Sequence, residues 1–464
     1  MSLRSILLAT SLMAAPAFAD EADWTILFYA AGDNSAEESL MPDLADLGEG
    51  FRPGRGVEIL VLVDRSPKFS TRPSVFGGDF EDTRLYRMTG GPAERLSGGD
   101  ELPEITKTST FEANMGDAKT LQRFIGYGKK HFPAKRYALI FYSHGNGCRW
   151  CPDNSHDDDS LYPGELSEVL TKDDSVDLMA FDVCSMGGIE VAYQFRPGNG
   201  GFQTDAIVAS GSATFPWTYA GLVARLFPET VKDGEKAFPE TALKLGNAIV
   251  EVLEVDRRQG ELQGERIKQM IAQESWACLD LSHANAVKTA VDALARQLGE
   301  SGERDRIEAI RGSGKPAMLN YLTREEGAWL REPYFDLFDL GDRIAKDESL
   351  SKRTRQLGQR LSETVDLMVK SSFGLSYYDG FQDGKHGIYI VFPDGGAMTN
   401  ATKHWTRFGW YSPLDCRDQN RSFGNYAWCR DDAEAGNGRI ENWFELLDAW
   451  FDSDEAGGSN GYSR

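Results

Sequence analysis

The sequence predicts an α/β fold: an open, mostly parallel sheet with helices on both faces, continued by a mainly helical C-terminal region. Two observations carry this. Five short apolar runs rich in β-branched and aromatic residues lie in the first half of the chain, with helical patterns between them. From about Ala237 onward the apolar residues recur at helical spacing instead.

The runs are Trp24–Ala31, Val57–Asp64, Tyr137–Ser143, Val176–Asp182 and Ala206–Ser210. Near-continuous apolarity suits strands buried on both faces, as parallel sheets require. Between the runs, Leu121, Phe124 and Ile125 follow a capping Asp117, and Ile189, Ala192 and Phe195 mark a helix directly after Cys184. Three later stripes read as helices: Leu245, Ile249, Val252 and Leu253; Val287, Val291, Leu294 and Leu298; Leu357, Leu361, Val365 and Met368. A late run, residues 387–392, reads as one more strand joining the main sheet. These patterns divide the chain into an export segment (1–19), a sheet-bearing region (20–235), a helical region with its late strand (236–415) and a polar tail (416–464).

At 464 residues, 41% hydrophobic and 26% charged, the chain suits one large core or two domains and is too apolar for disorder. Lys and Arg total 50 against 72 Asp and Glu, a formal net charge of −22. So acidic a balance argues against nucleic acid and anionic membrane surfaces as partners. It favours a cationic partner or substrate.

Met1 to Ala19 has a positive start at Arg4, a short apolar run from Ile6 to Ala15, and a small-x-small ending at Ala17-Phe18-Ala19. That run is about ten residues, half of the roughly 20 that span a bilayer, so it predicts a cleaved export signal and a secreted or periplasmic protein. No cysteine follows Ala19, which argues against a lipid anchor. Among the six cysteines, Cys416 and Cys429 are candidates to close a surface loop. Cys148 and Cys151 are candidates for a disulfide, a redox pair or half of a metal site.

Chemistry concentrates at the ends of two runs. Tyr137–Ser143 ends in His144-Gly145-Asn146-Gly147, and Val176–Asp182 continues into Val183-Cys184-Ser185-Met186-Gly187-Gly188. The carboxyl ends of parallel strands are where ligands collect, and a thiol beside an imidazole is a nucleophile with its proton acceptor. Glycines around both let backbone N–H groups approach a developing oxyanion. Asp182, two residues before Cys184 on the same strand face, offers a carboxylate to a basic substrate side chain, or a cap for the next helix.

These blocks resemble the clostripain family of cysteine endopeptidases, whose fold is like that of caspases and gingipains. The resemblance runs through Trp24-Thr-Ile-Leu-Phe-Tyr-Ala-Ala-Gly-Asp33-Asn34, Leu62-Val-Asp64-Arg65, Ser143-His144-Gly145 and Phe181-Asp182-Val183-Cys184-Ser185-Met186-Gly187. It returns at Tyr334-Phe-Asp336-Leu-Phe-Asp339 and His386-Gly387-Ile-Tyr-Ile-Val-Phe-Pro393. It implies a caspase-like sheet and a His144–Cys184 dyad acting on a peptide or protein substrate. Backbone N–H groups of Gly145 and Cys184 would form the oxyanion site, and Asp182 would select Arg or Lys before the scissile bond. Family members often clip an internal loop after a basic residue, for which Arg149 and Lys172 are candidates here. Some require calcium, for which the oxygen-rich run Asp157, Asp158 and Asp159 is the weak candidate. Two departures stand out: Asn146-Gly147-Cys148-Arg149-Trp150-Cys151 replaces the family's Gly/Ser-Gly-Trp, and Gly211–Tyr219 lacks the acidic residues usual after the fifth strand.

Two rival readings remain open from the residues alone. His144, Cys148, Cys151 and His156 fall within thirteen residues, the composition of a Cys2His2 zinc set, or the cysteines alone form a thiol-redox pair. A catalytically silent binding relative on the same sheet is the other.

Overall fold

The first apolar run folds as β1 (Ala22–Gly32), and its alternate residues enter two separate cores. Leu27, Tyr29 and Ala31 join one, and Trp24, Ile26, Phe28 and Ala30 the other. That alternation follows from the two-residue repeat of a strand buried on both faces. The structure is a computed structural model. It describes residues 21–66, 68–69, 76–230, 238–262, 273–312, 318–321, 333–392, 426–434 and 437–451. The expected export segment 1–19 and Cys416 lie outside these.

The remaining strands are β2 (Val57–Arg65), β3 (Arg84–Arg87), β4 (Glu94–Arg95), β5 (Ala134–Tyr142), β6 (Trp150–Asp153), β7 (Asp159–Leu161), β8 (Leu178–Asp182), β9 (Ala206–Ala209), β10 (Ser275–Asp280), β11 (Tyr334–Asp336), β12 (Val369–Gly374) and β13 (Tyr389–Val391). Among the described residues, nine of them form one sheet in the order β12-β10-β9-β8-β5-β1-β2-β3-β4. Its centre, β9 to β2, is parallel, and both flanks are antiparallel. The chain leaves β1 toward β2 on one side and returns to β5 on the other. The β1–β5 seam is therefore the topological switch point, where a crevice opens beyond the strand ends.

Helices α1 (Glu37–Gly50), α2 (Ala118–His131), α3 (Pro163–Val169), α4 (Ile189–Gln194), α5 (Tyr219–Leu226) and α6 (Ala242–Leu262) cover the two faces. The Leu245–Ile249–Leu253 stripe of α6 packs with Leu222 and Leu226 of α5 and Leu40 and Leu44 of α1 on one face. Leu121, Phe124 and Ile125 of α2 share the other face with Val287, Val291, Leu294 and Leu298 of the helix Ala284–Ser301, and with Leu357, Leu361 and Val365 of Lys352–Met368. Asp117 caps α2 as expected, accepting the Lys119 N–H at 2.9 Å, while Lys129, Lys130 and His131 sit at its negative end.

Two expectations are corrected. The late strand does not join the main sheet. β13 pairs antiparallel with β11 in a separate two-stranded sheet, and it touches the turn between β8 and α4 through a bridge from Tyr389 to Gly188. The reason is occupancy: β10, from beyond residue 235, fills the place next to β9, and β12 pairs outside β10. For the same reason the sheet does not stop at residue 235.

Candidate active site

β5 and β8 are parallel neighbours with Tyr142 opposite Asp182, so Ser143-His144-Gly145 and Val183-Cys184 leave the sheet side by side. Their loops are in contact. A Cβ built on Gly145 would fall 2.4 Å from Val183 Cγ1 and 3.3 Å from the Cys184 carbonyl oxygen, so any side chain there would push the loops apart. His144 is exposed. Its Nε2 lies 2.8 Å from Ser35 Oγ across the β1–β5 seam, which leaves Nδ1 for proton exchange. The adjacent Asn34 holds this corner, its Nδ2 donating to the Pro152 carbonyl at 2.8 Å and to Ser143 Oγ at 3.1 Å.

Cys184 is partly buried, and its sulfur accepts the Thr214 N–H at 3.3 Å. Among the described residues no hydrogen bond joins it to His144. Burial pushes the Cys184 thiol up and the His144 imidazole down from their ordinary values, while the Thr214 N–H and hydroxyl act in favour of the thiolate. Both directions favour thiol and neutral imidazole over the charged pair. The backbone N–H groups of Gly145 and Cys184 make no hydrogen bond among the described residues. Two such donors beside a nucleophile are the material of an oxyanion site.

Asp182 ends β8 on the opposite side from open solvent, at 4% exposure. Its oxygens accept the Trp217 N–H at 3.1 Å and the Tyr219 hydroxyl at 3.0 Å, so it does not cap the helix that follows. Burial holds its pKa well above the usual carboxylate range. Nearby Asp43 accepts the Tyr142 hydroxyl at 2.7 Å, and burial pushes it up to about 7. Among the described residues no Lys or Arg stands within ion-pair distance of either carboxylate.

Arg149 sits in the turn after the catalytic-loop glycines and leads straight into fully buried Trp150. Lys172 is exposed on a short 3-10 turn, Lys172–Asp174. The expected Cys148–Cys151 bond is not formed: Cys151 is a buried thiol with φ +56°. Its side chain enters the core beside Asp153 and Ser143, whereas Cys148 Sγ lies 3.2 Å from Asn146 Oδ1 in the preceding turn. The zinc set is not assembled either, because His144 is held at Ser35 while His156 pairs with Asp153 at 2.9 Å. Cys429 is a buried thiol, and its suggested partner Cys416 is outside the described residues.

The run Asp157–Asp159 makes the turn between β6 and β7, with Asp157 and Asp158 exposed at φ +57° and Asp159 committed to Asn114 at 2.7 Å. It converges on no common point. Carboxylates do converge elsewhere: Asp33, Asp64 and Glu112 form one group within 4.8 Å, and Glu112, Asp153 and His156 another. Asp64 Oδ2 and Glu112 Oε1 are buried without a hydrogen-bond partner. Burial first, and then the neighbouring acids, push Glu112 up to about 8. An all-oxygen donor set with orphaned buried oxygens fits a hard divalent cation. Ser35 and the carboxylate cluster escaped sequence reasoning because each arises where separated segments meet. The local sign, Asp33-Asn34-Ser35 directly after a strand, was legible.

Comparison with known proteins identifies the family. The sequence profile of the clostripain family matches residues 28–450. Clostripain of Hathewaya histolytica is 37% identical over 477 residues, covering 94% of this chain and 89% of that protein. A secreted C11 cysteine protease from Bacteroides thetaiotaomicron, solved with an irreversible peptide inhibitor, superposes with a TM-score of 0.56 at 19% identity, over 84% of this chain and 98% of that one. An inactive zymogen C11 protease from Parabacteroides distasonis gives 0.54 at 16% identity, over 82% and 94%. With an α/β sheet of that architecture and a match along most of its length, the chain belongs to the clostripain family and is a cysteine endopeptidase.

Proposed function

We propose that the protein is an exported endopeptidase cleaving after Arg or Lys with Cys184 as nucleophile and His144 as its proton acceptor. What carries the reading is the placement of His144 and Cys184 on adjacent parallel strand ends, beside two uncommitted backbone N–H groups. Cys184 Sγ attacks the peptide carbonyl as its proton passes to His144, and the oxyanion is received by the N–H groups of Gly145 and Cys184. His144 then returns the proton to the leaving amine. Water, deprotonated by the same imidazole, hydrolyses the thioester and restores the thiol.

The basic preference rests on Asp182 and Asp43, buried or half-buried acids with phenol partners and with Arg257 acting on them only from beyond ion-pair distance. A guanidinium or ammonium from the substrate would supply the missing counter-ion, and a neutral side chain would leave the buried carboxylate uncompensated. Export rests on Met1–Ala19. Self-processing is assigned to the accessible Lys172 rather than to Arg149, whose following residue is buried. The divalent cation, calcium by its hard oxygen ligands, is assigned to Asp33, Asp64, Glu112 and Asp153 in place of Asp157–Asp159. Bound there, it would neutralise the cluster and stiffen the corner that carries Asn34 and Ser35 to His144.

The test uses fluorogenic peptides ending in Arg, Lys, Asp or Leu, with Cys184→Ala and Asp182→Ala in parallel. Cleavage after Arg or Lys that disappears in Cys184→Ala, and loses its basic preference in Asp182→Ala, is expected. Activity surviving Cys184→Ala would remove the proposed nucleophile.

A further inference from the structure

Two tyrosines from the C-terminal half reach both catalytic loops at once. Tyr334 of β11 and Tyr389 of β13 are buried and stacked face to face, with ring centroids 4.2 Å apart and planes 8° from parallel. The Tyr389 hydroxyl donates to the Ser185 carbonyl at 2.7 Å, one residue after Cys184. Its backbone N–H donates to the Gly187 carbonyl at 3.0 Å. Tyr389 therefore grips the turn after the nucleophile at two points. The Tyr334 hydroxyl donates to the Asn146 carbonyl at 2.6 Å, two residues after His144.

The sequence makes room for these rings. Gly147 adopts φ +96°, and a Cβ there would fall 2.6 Å from the Tyr389 hydroxyl and 2.7 Å from that of Tyr334. At Gly188 a Cβ would fall 2.8 Å from the Tyr389 ring. Ser185, whose carbonyl Tyr389 holds, is a non-glycine residue at φ +62°, a conformation that persists where its surroundings hold it. The platform under the rings is itself tied down. The Tyr321 hydroxyl donates to Asp336 at 2.5 Å, and the Val391 N–H donates to Glu190 at 2.9 Å.

We propose that Tyr334 and Tyr389 are positioning residues for catalysis. Their stacked rings act as a spacer that sets the Cys184 loop against the His144 loop through the Ser185 and Asn146 carbonyls. This rests on the His144–Cys184 reading. A core-filling role alone would need the rings and not the hydroxyls, since phenylalanine stacks equally well. Catalysis needs the hydroxyls, because a misplacement of about 1 Å between reacting groups can cost orders of magnitude in rate.

The experiment compares Tyr334→Phe, Tyr389→Phe and the double variant in the full-length enzyme. Measured are kcat and KM on one peptide, the pH dependence of Cys184 alkylation by iodoacetamide, and Tm. Each single variant should lose about tenfold in kcat while KM stays within about twofold. The alkylation profile should shift, and the double variant should fall close to the worse single, because one device has been removed. Wild-type kcat and alkylation profile in both single variants, whatever happens to Tm, would overturn the proposal. Should the Phe variants not fold, Gly147→Ala presses on the same hydroxyls from the loop side, and wild-type kcat there would overturn it equally. His144→Ala and Cys184→Ala run beside them: activity surviving in those would sink the dyad reading and not only the spacer.

Discussion

Removing the Ser35 hydroxyl isolates what orients the imidazole proposed to be catalytic. In Ser35→Ala, His144 Nε2 loses its 2.8 Å partner while the Asn34 contacts that shape the corner remain. A neutral hydrogen bond contributes about 0.5–1.5 kcal/mol net. If all of it serves to orient the ring, the rate falls by roughly 2- to 12-fold. Both side chains are exposed, so water can take the vacant place and the lower half of that range is expected. The effect belongs in kcat, since Ser35 orients a catalytic group and lends no binding energy. Ser35→Thr should keep most of the activity, and Ser35→Val, with a similar shape and no hydroxyl, should behave like Ala. The assay is steady-state cleavage of one fluorogenic peptide, with Tm showing that the exposed change leaves stability alone. Unchanged kcat in both Ala and Val would refute the assignment. A rise in kcat would show that the hydroxyl parks the ring away from the thiol.

Three further outcomes follow from the same geometry. Because burial lowers the His144 pKa below 6.5 and raises that of Cys184 above 9.0, kcat/KM should already exceed half its plateau at pH 6.5 and decline only above pH 9. The sign is fixed by the active form, neutral imidazole with protonated thiol, so an acid midpoint above 7 would contradict it. Calcium should raise Tm saturably in the wild type and much less in Glu112→Gln, while Asp157→Asn/Asp158→Asn keeps the full shift; equal shifts in all three would place the ion elsewhere. Purified Lys172→Gln should remain one chain on a denaturing gel while Arg149→Gln is still clipped, and the reverse pattern would move the site to Arg149.

How much of this was legible depended on whether a feature is local. The buried parallel strands announced themselves, since Trp24–Ala31 and Val57–Asp64 are apolar on both faces, and β1 and β2 follow within a residue or two. Helix stripes and the Asp117 cap were equally local. The placement of His144 and Cys184 at neighbouring strand ends was readable from the apolar runs and the glycines that follow them. The tertiary juxtapositions were not. Strand alternation placed Asp182 on the face of Cys184, but it could not foresee its partners Trp217 and Tyr219, which come from 35 and 37 residues later. The CxxC spacing suggested a disulfide, but both cysteines are free thiols buried in the core. The calcium candidate was sought in one acidic run, whereas the converging carboxylates come from four segments. The strand 387–392 was correct as a strand and misplaced as a neighbour, because sequence pattern gives pairing capacity and not a partner.

That β10 and β12 complete the sheet from beyond residue 235 has a consequence for how the enzyme is made. A growing chain emerges with His144 first and Cys184 soon after, long before Tyr334, Tyr389 and the two flanking strands exist. Until then β9 is an open edge, and neither reactive loop has its distal support. β13 ends at Val391, so on the proposed reading the frame around His144 and Cys184 is complete only after about 200 further residues have followed Cys184 out of the ribosome. The order of translation would then work as a timer, the proposed reactive groups emerging first and their support later.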